Sequence, residues 1–330
     1  MEFYYPQSKA IFKEIKKARH ILLNVHRNPD LDSVGSALTL YQIIKKLGKT
    51  ADIVSPHSIG EEFFFLKDSR KIQAIDFSRF DFSPFDLFII LDSSKADVVT
   101  ISPKIDLPKI PTIIIDHHKT NKLKGKIRLV DKNAAATGEV IYRLLLDWGM
   151  VIDKEIATYL FSAIAGDTVF FKYTTDNKKT YNIVNELIKK GANKDALVRN
   201  MFNNYNLPSI KLLGLFLQKM EIDKEGGFVW SVITHEEYQR FGQPKGIREM
   251  AADMFFQSVK GVEFGMAMLE EKEEKLSISF RSKGGVDVSV LAEKLGGGGH
   301  QKAAGCTLYG KFEQMVKRVI KTAQKVSTVK

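Results

Sequence analysis

Short apolar runs alternate with amphipathic segments over the first 190 residues of the chain. The apolar runs predict buried strands, which lie at residues 20–26, 51–54, 86–91 and 110–115. Apolar positions at helical spacing predict helices, which lie at 7–19, in a segment ending near 47, and at 134–148, 154–165 and 178–190. Strands that alternate with helices are typical of an α/β fold, and continuous apolar runs are typical of parallel strands. We therefore expect a doubly wound parallel sheet.

The pattern changes after residue 191. Residues 192–208 are polar and predict a linker. Beyond them we expect one helix near 209–220 and another at 246–257, with β-like runs at residues 228–233, 263–270 and 275–281. This order predicts one α/β domain over 1–191, a linker over 192–208, and a smaller α+β domain over 209–330.

Composition supports this plan and narrows the class of protein. A chain of 330 residues with 44% hydrophobic and 27% charged residues is typical of a globular protein with two domains. It contains no apolar run near the roughly 20 residues of a membrane span, and we see no secretory signal. Cys306 is the only cysteine, which excludes an intrachain disulfide and a thiolate zinc cluster. We expect a cytoplasmic protein without a membrane segment.

The chain is basic, with a net charge of +11. A positive surplus concentrates anionic substrates and favours nucleic acids, but a solvated lysine-rich surface produces the same number. Part of the charge, at residues 122–128, directly follows a run of one acid and two histidines. Charge therefore supports a phosphate-bearing substrate without deciding for one.

Acids and histidines stand at the ends of successive predicted elements in the first domain. They are His26, Asp30, Asp32, Asp92, Asp116, His117, His118 and Asp167. Each acid alone could be a turn or cap residue, but the carboxyl ends of parallel strands meet at one sheet edge, where these groups would converge. Such a cluster would repel itself without cations, and oxygen ligands with some imidazole suit Mn²⁺ or Mg²⁺. The sequence predicts a two-metal site.

Four spaced motifs resemble those of the DHH phosphoesterase superfamily. They are His26-x-Asn28-Pro29-Asp30-x-Asp32-x-x-Gly35-Ser36, Asp92-Ser93-Ser94, Asp116-His117-His118 and Gly166-Asp167-Thr168. In the second domain, Arg281-Ser282 and Gly296–His300 resemble the DHHA1 domain. The resemblance covers nearly the whole chain and is strongest to the branch of stand-alone bacterial oligoribonucleases (nanoRNases), pAp phosphatases and cyclic-dinucleotide phosphodiesterases.

The resemblance implies a role for each position of the first domain. His26 and Asp30 would hold one Mn²⁺, with Mg²⁺ as an alternative; Asp32, His117 and Asp167 would hold the other; and Asp92 would bridge them. Asp116 would orient an imidazole, and His118 would contact the scissile phosphate or the leaving oxygen. Relatives often continue the fourth motif as Thr-Asp-Thr-Gly, whereas this chain has Thr168-Val169, so the pocket wall beside Asp167 is expected to differ.

For the second domain the resemblance implies phosphate recognition, on a surface that faces the catalytic first domain across a cleft. Arg281 and His300 would add charged contacts, while Gly297, Gly298 and Gly299 would let backbone N–H groups approach a phosphate. A hinge is the alternative for the glycines, and a surface position is the alternative for Arg281.

The function implied is a manganese-dependent phosphodiesterase in which a metal-activated water attacks phosphorus. Expected substrates are short RNA or DNA oligonucleotides, linear dinucleotides such as pApA, cyclic di-AMP and pAp, with nucleoside monophosphates as products. The resemblance also implies a homodimer, because members of the family often dimerise. The rivals are a manganese pyrophosphatase, which would carry many Lys and Arg residues in its second domain, and a non-catalytic nucleotide-binding module.

Overall fold

The computed structural model describes residues 4–102, 104–172 and 178–327. The chain forms two compact units, Met1–Asn204 and Tyr205–Lys330. The predicted linker, 192–208, contains a helix, α7 (Lys194–Phe202), and the first residues of another, α8 (Leu207–Gln218). In the part of the chain that the structure describes, we find no helix both long and apolar enough to cross a membrane.

The first unit contains a six-stranded sheet in which every neighbouring pair is parallel. Its strands are β1 (His20–Asn24), β2 (Thr50–Ser55), β3 (Ile72–Ala74), β4 (Leu87–Leu91), β5 (Thr112–Asp116) and β6 (Ile127–Val130). Their order, β3-β2-β1-β4-β5-β6, is that of a doubly wound sheet, which confirms the predicted fold class. The sequence pattern missed β3 and β6 because these short edge strands are partly exposed and carry no continuous apolar run.

The described residues of this unit form six further α-helices. They are α1 (Ser8–Lys17), α2 (Leu31–Lys46), α3 (Ala96–Thr100), α4 (Thr137–Asp147), α5 (Lys154–Asp167) and α6 (Lys178–Lys189). Successive residues of a strand point to opposite faces, so Ile21 and Leu23 pack into one apolar core and Leu22 into another. Both faces of the sheet are therefore buried, which explains why its central strands read as continuous apolar runs.

Glycines bring α2, α4 and α5 close together. A Cβ at Gly35 would lie 2.5 Å from the Tyr159 carbonyl oxygen, and a Cβ at Gly138 would lie 2.5 Å from the Ala163 Cβ. A Cβ at Gly166 would likewise lie 2.5 Å from the Leu31 Cβ. Larger residues at these positions would force the three helices apart, and these helices carry several of the predicted metal ligands.

The second unit contains a mixed six-stranded sheet, in the order β11-β12-β10-β9-β8-β7. Its elements after α8 are β7 (Glu221–Asp223), β8 (Phe228–Ile233), α9 (His235–Arg240), α10 (Ile247–Met250), β9 (Phe264–Lys272), β10 (Lys275–Ser282), α11 (Val288–Lys294), β11 (Gly298–His300), β12 (Ala303–Tyr309) and α12 (Phe312–Ser327). Among the strands that the structure describes here, β8 and β9 pair in parallel and the other neighbours pair antiparallel. One apolar core involves α11 and α12, and a second involves α8, α9 and α10. The predicted α+β character of this unit is confirmed.

Candidate metal centre

The predicted ligands of the first unit gather where the strand order of its sheet reverses. The chain winds outward from β1 through β2 in one direction and from β4 through β5 in the other, so the carboxyl ends of β1 and β4 flank a crevice. His26 follows β1 by two residues, and Asp92 directly follows β4. The sheet topology therefore brings together residues that are far apart in the sequence.

Asp92 lies between two groups of ligands. Its Oδ2 is 3.5 Å from His26 Nε2, and its Oδ1 is 3.5 Å from His117 Nε2. The backbone at Asp92 is left-handed, with φ of 48°, a conformation that Asp tolerates better than most residues. One carboxylate thus turns an oxygen toward each group, which is the arrangement a bridging ligand needs.

The first group contains His26, Asp30 and Asp92, whose ligand atoms lie within 4.8 Å of one another. Asp30 is the N-cap of α2, where its Oδ1 accepts a hydrogen bond of 2.8 Å from the Ser33 N–H. Its Oδ2 lies 3.3 Å from His26 Nε2. The cap interpretation and the ligand interpretation of Asp30 are thus compatible, because the two oxygens face different partners.

The second group contains Asp32, His117 and Asp167, again within 4.8 Å. His117 Nε2 lies 3.3 Å from Asp167 Oδ2 and 3.9 Å from Asp32 Oδ2. Asp32 is almost fully buried and accepts hydrogen bonds from the backbone N–H groups of Thr137 (2.6 Å) and Gly138 (2.8 Å). The N-terminus of α4 therefore holds this carboxylate in place.

The electrostatics of the cluster favour bound cations. Burial, together with the charges of Asp92 and Asp167, raises the pKa of Asp32 well above its usual range. Burial also raises the pKa of Asp167 to about 7, with Asp92 adding to the rise and His117 opposing it. Carboxyls that resist ionisation because their neighbours are also acids lose that penalty when divalent cations enter.

His26 and Asp30 form the oppositely shifted pair of the cluster. Burial disfavours a charged His26, but the carboxylates of Asp30 and Asp92 outweigh it and raise the pKa of His26 well above normal. Desolvation opposes ionisation of Asp30, but His26 and the hydrogen bonds from Ser33 lower the pKa of Asp30 to about 2. In the protein without metal, protonated His26 thus supplies the positive charge that a bound cation would otherwise supply.

His118 and Asp116 form a separate pair beside these groups. His118 Nδ1 donates to Asp116 Oδ1 at 2.7 Å, and the buried Asp116 also accepts 2.7 Å from Asn121 Nδ2 through Oδ2. Burial opposes a charged His118, yet Asp116 and Asp92 raise its pKa to about 9. The orienting role predicted for Asp116 is thus directed at His118, not at His117, whose Nδ1 lies 3.3 Å from the Ala134 carbonyl oxygen.

The donor set fits two divalent cations. Four carboxylates and two imidazoles with no thiolate match hard or borderline ions such as Mn²⁺ and Mg²⁺. The buried Nδ1 of His26 has no hydrogen-bond partner among the described residues, so this ring is not fixed by a protein hydrogen bond on that side. Among the described residues, three sets of three side chains could each hold a metal ion: His26 with Asp30 and Asp92, Asp32 with His117 and Asp167, and Asp92 with His117 and His118.

Sequence reasoning missed the residues that hold the ligands. Thr137 donates its hydroxyl to Asp92 Oδ1 at 3.0 Å in addition to its N–H bond to Asp32. Asn121 joins Asp116 to the Ser93 carbonyl oxygen, to which it donates at 2.9 Å. The sequence signal was the Thr137-Gly138 pair at the start of α4. The N-cap residue, Ala136, forms no side-chain capping hydrogen bond, and Asp32 caps the helix instead.

The fourth motif departs from the glycine-bearing pattern in a way that the backbone makes visible. Val169 has φ of 47°, and Phe170 and Phe171 follow with φ of 54° and 67°. A β-branched residue in the left-handed region is a strained position where glycine would fit without cost. This turn follows Asp167, where we expected the pocket wall to differ from that of relatives, and this chain builds it from three bulky residues.

In the second unit, Arg281 and His300 project from the same sheet face. Both pair in register with Ala303, from β10 and β11 respectively, so a small side chain lies between them. The Arg281 guanidinium forms a two-pronged ion pair with Asp253 through Nε and Nη2. Arg281 is thus not an isolated surface residue, and its role toward a substrate stays a prediction.

The glycine run forms structure over part of its length. Gly298 and Gly299 belong to the edge strand β11, and a Cβ at Gly297 would lie 2.2 Å from the Gly305 carbonyl oxygen. The glycines therefore permit close packing on β12 rather than a hinge over residues 298–300. An edge strand also turns backbone groups away from its sheet, so phosphate binding by Gly297, Gly298 and Gly299 stays a prediction.

Comparisons with known proteins agree with the geometry. The model of the DHH family, N-terminal domain, matches residues 20–164, and the DHHA1 domain model matches residues 230–326. The bifunctional oligoribonuclease and PAP phosphatase NrnA of Thermus thermophilus is 29% identical over 330 residues, covering 98% of this chain and 96% of the relative. The resemblance inferred from the motifs is confirmed.

Two further relatives differ in the fraction of their own length that matches this chain. The cyclic-di-AMP phosphodiesterase PdeA of Listeria monocytogenes is 25% identical over 315 residues, which is 91% of this chain but 46% of PdeA. The crystal structure of an exopolyphosphatase-related protein from Bacteroides fragilis superposes with a TM-score of 0.90 at 27% identity, covering 98% of this chain and 97% of that one.

Proposed function

This chain belongs to the DHH family and carries a DHHA1 domain, and from that premise we propose that it is a manganese-dependent phosphodiesterase. Its substrates are short oligonucleotides and dinucleotides, with pApA first and cyclic di-AMP and pAp as further candidates. Its products are nucleoside monophosphates.

One observation carries the proposal: the two oxygens of Asp92 face two different ligand groups. His26 and Asp30 lie on the Oδ2 side, and His117 lies on the Oδ1 side. When bound, two divalent cations supply Lewis-acid chemistry, since they polarise a phosphoryl oxygen and make water more acidic. His26, Asp30, Asp32, Asp92, His117 and Asp167 would hold them.

We assign to His118 the proton that the leaving oxygen accepts when its bond to phosphorus breaks. Asp116 accepts from Nδ1 of this ring and thereby fixes its orientation. With a pKa of about 9 the imidazole is protonated near neutral pH, so Nε2 would donate to the leaving oxygen as it gains negative charge. Bound cations would offset the contribution of Asp92, but Asp116 would continue to stabilise the imidazolium.

Sequence identity favours an oligoribonuclease over a cyclic-dinucleotide phosphodiesterase. NrnA of Thermus thermophilus, named as an oligoribonuclease and PAP phosphatase, is 29% identical to this chain. PdeA, named as a cyclic-di-AMP phosphodiesterase, is 25% identical. We therefore place linear substrates before cyclic ones. A cytoplasmic location and a homodimer belong to the proposal as well, and the single cysteine fits a reducing compartment.

The test is a substrate panel on the purified full chain. The panel contains pApA, RNA of a few nucleotides, cyclic di-AMP, pAp and pyrophosphate. Each substrate is incubated with Mn²⁺, Mg²⁺ or chelator, and products are separated by anion-exchange chromatography. We expect mononucleotide from pApA with Mn²⁺ and none with chelator.

Two acid-to-amide variants provide the control. Asp92→Asn should abolish turnover, because it removes the shared carboxylate. Asp52→Asn, at the partner of His20 on the first strand, should leave turnover unchanged. The proposal is refuted if pApA and short RNA stay intact with every metal, or if Asp92→Asn turns over like the wild type. Phosphate release from pyrophosphate alone would instead identify a pyrophosphatase.

A further inference from the structure

The segment just before and into α4 contacts three of the six metal ligands. The Ala134 carbonyl oxygen lies 3.3 Å from His117 Nδ1. Thr137 contacts Asp32 through its N–H and Asp92 through its hydroxyl, and the Gly138 N–H donates to Asp32. We call residues 134–138 the ligand-holding segment. Its position sets the distance between ligands contributed by α2, β4 and β5.

Glu139 holds this segment from behind. It is fully buried, and its Oε2 accepts from the Ala135 N–H at 3.2 Å and from the Thr180 hydroxyl at 2.7 Å. Its Oε1 accepts a short hydrogen bond from Arg143 Nη2. None of these bonds involves a metal ligand, so Glu139 lies one layer outside the site.

Arg143 connects Glu139 to the end of the sheet. Through Nη1 the guanidinium donates to Asp131 Oδ2 at 2.8 Å and to the Tyr5 hydroxyl at 2.9 Å. Asp131 directly follows β6, and its N–H donates to the Asp116 carbonyl oxygen at 3.0 Å. The network of Tyr5, Asp131, Glu139, Arg143 and Thr180 thus joins the ligand-holding segment to β6, α6 and the start of the chain.

A surface pair at this spacing would need no explanation. Glu139 and Arg143 are four residues apart on one helix, and exposed pairs of this kind contribute only about 0.5 kcal/mol. Here the Glu139 side chain is fully buried and the Arg143 side chain is 12% exposed. A buried ion pair is weak evidence for stability, because an apolar pair of similar volume often packs as well. What it does provide is fixed geometry, since each hydrogen bond has a single direction.

We propose that Glu139, clamped by Arg143, is a positioning residue that fixes the ligand-holding segment and thereby sets the metal affinity of the site. The inference rests on the proposed function, because it requires that the cluster binds metal. It extends that function by assigning a role to a buried network that contacts neither metal ligand side chains nor substrate.

The experiment measures Mn²⁺ binding rather than turnover. The free-ion signal in electron paramagnetic resonance gives the dissociation constant for the full-length wild type and for Glu139→Gln. In either orientation of a glutamine amide, one donor, the Ala135 N–H or Arg143 Nη2, loses its acceptor. We expect Mn²⁺ to bind about tenfold more weakly, the lower range for loss of a ligand-orienting hydrogen bond.

Two more variants separate positioning from general stability. Arg143→Lys keeps the charge, but a lysine cannot reach Glu139 and Asp131 together. It should therefore weaken Mn²⁺ binding by a smaller factor than Glu139→Gln. If Glu139→Gln does not fold, Arg143→Lys alone tests the positioning role. Asp153→Ala removes the N-cap of α5, far from Asp167 at the other end of that helix, and should lower the melting temperature while Mn²⁺ affinity stays unchanged.

The outcomes are distinguishable. Failure of the wild type to bind Mn²⁺ would overturn the proposed function. Wild-type binding with unchanged affinity in the folded Glu139→Gln or Arg143→Lys protein would overturn the positioning role alone. An equal affinity loss in Asp153→Ala would show that the network acts only through stability, which also overturns it.

Discussion

Replacing Gly138 by alanine should damage both the stability of the first unit and its metal binding. The new Cβ would lie 2.5 Å from the Ala163 Cβ, whereas ordinary contacts begin near 3.4 Å, so α4 and α5 must separate by about 1 Å. The Gly138 N–H is one of the two backbone N–H groups that donate to Asp32. The same displacement therefore reaches the metal ligands.

The size of the effect follows from two opposing contributions. Overpacking typically costs 1–3 kcal/mol, and alanine regains at most about 1 kcal/mol of helix propensity. We expect a net loss of about 1–2 kcal/mol in the free energy of unfolding, together with Mn²⁺ binding about tenfold weaker.

A second substitution tests the cause. Ala163→Gly removes the methyl group that the new Cβ meets, so the double variant should be more stable than the sum of the single effects by about 1 kcal/mol or more. Ala163→Gly should not rescue Gly35→Ala to the same extent, because that Cβ would meet the backbone oxygen of Tyr159 at 2.5 Å. Gly214→Ala in α8, where no atom lies within 4 Å of the new Cβ, should instead be stabilising.

Urea unfolding provides the measurement. The chain has two tryptophans, and in a Trp230→Phe background the buried Trp148 reports on the first unit alone. For Gly214→Ala, which lies in the second unit, Trp230 is the reporter in a Trp148→Phe background. The steric reasoning is wrong if Gly138→Ala unfolds at the same urea concentration as the background protein, or if Ala163→Gly rescues both glycine variants equally.

The remaining predictions concern the ligands, the pH dependence and the second unit. His117→Ala should lose Mn²⁺ binding, whereas His118→Ala should keep it and lose turnover; equal Mn²⁺ affinity in the two variants would contradict this division. Without metal, stability should fall as the pH rises from about 4 to about 9, because the raised pKa values of Asp167 (about 7) and His118 (about 9) make the folded state bind more protons than the unfolded state. This stabilisation is fully present below the pKa values of the unfolded state and is lost as the pH rises through those of the folded state. Melting curves measured in chelator test the prediction, and saturating Mn²⁺ should make the decline of stability with pH smaller. Arg281→Lys should raise KM for pApA and leave Mn²⁺ affinity unchanged, because the ion pair with Asp253 places a forked donor that lysine cannot replace; an unchanged KM would remove Arg281 from substrate binding.

Most of the first unit could be predicted from the sequence because its central strands are buried on both faces. That burial requires continuous apolar runs, which mark β1, β4 and β5 without ambiguity. The edge strands β3 and β6 escaped because they are short and partly exposed. In the second unit β11 and β12 escaped, because β11 is three residues long and glycine-rich and the small residues of β12 form no continuous run of large apolar side chains. Residues 192–208 read as a linker because their polar composition hides the short helix α7, which buries only Leu197.

The chemistry of the site was also determined by the sequence, because ligand type limits metal type. Acids and histidines at the ends of four successive elements, with one cysteine in the whole chain, left carboxylate and imidazole as the ligands. The spacing of His26, Asp92 and His117 along the chain carried no information about distance, but a parallel sheet brings strand ends to one edge, so their convergence was predictable from topology. Asp167 ends the helix α5, and its approach to them depends on how that helix packs.

Only the tertiary structure decided which residues hold those ligands. The orientation of Asp92 between two groups, the capping of α4 by Asp32 and the buried contact of Glu139 with Ala135 depend on ångström-scale packing of α2, α4 and α5. A hydrogen bond between residues 105 or 106 positions apart in the chain, as between Asp32 and the start of α4, leaves no local pattern. Sequence patterns record what each segment buries, whereas the partners of a buried polar group are fixed only when the segments pack.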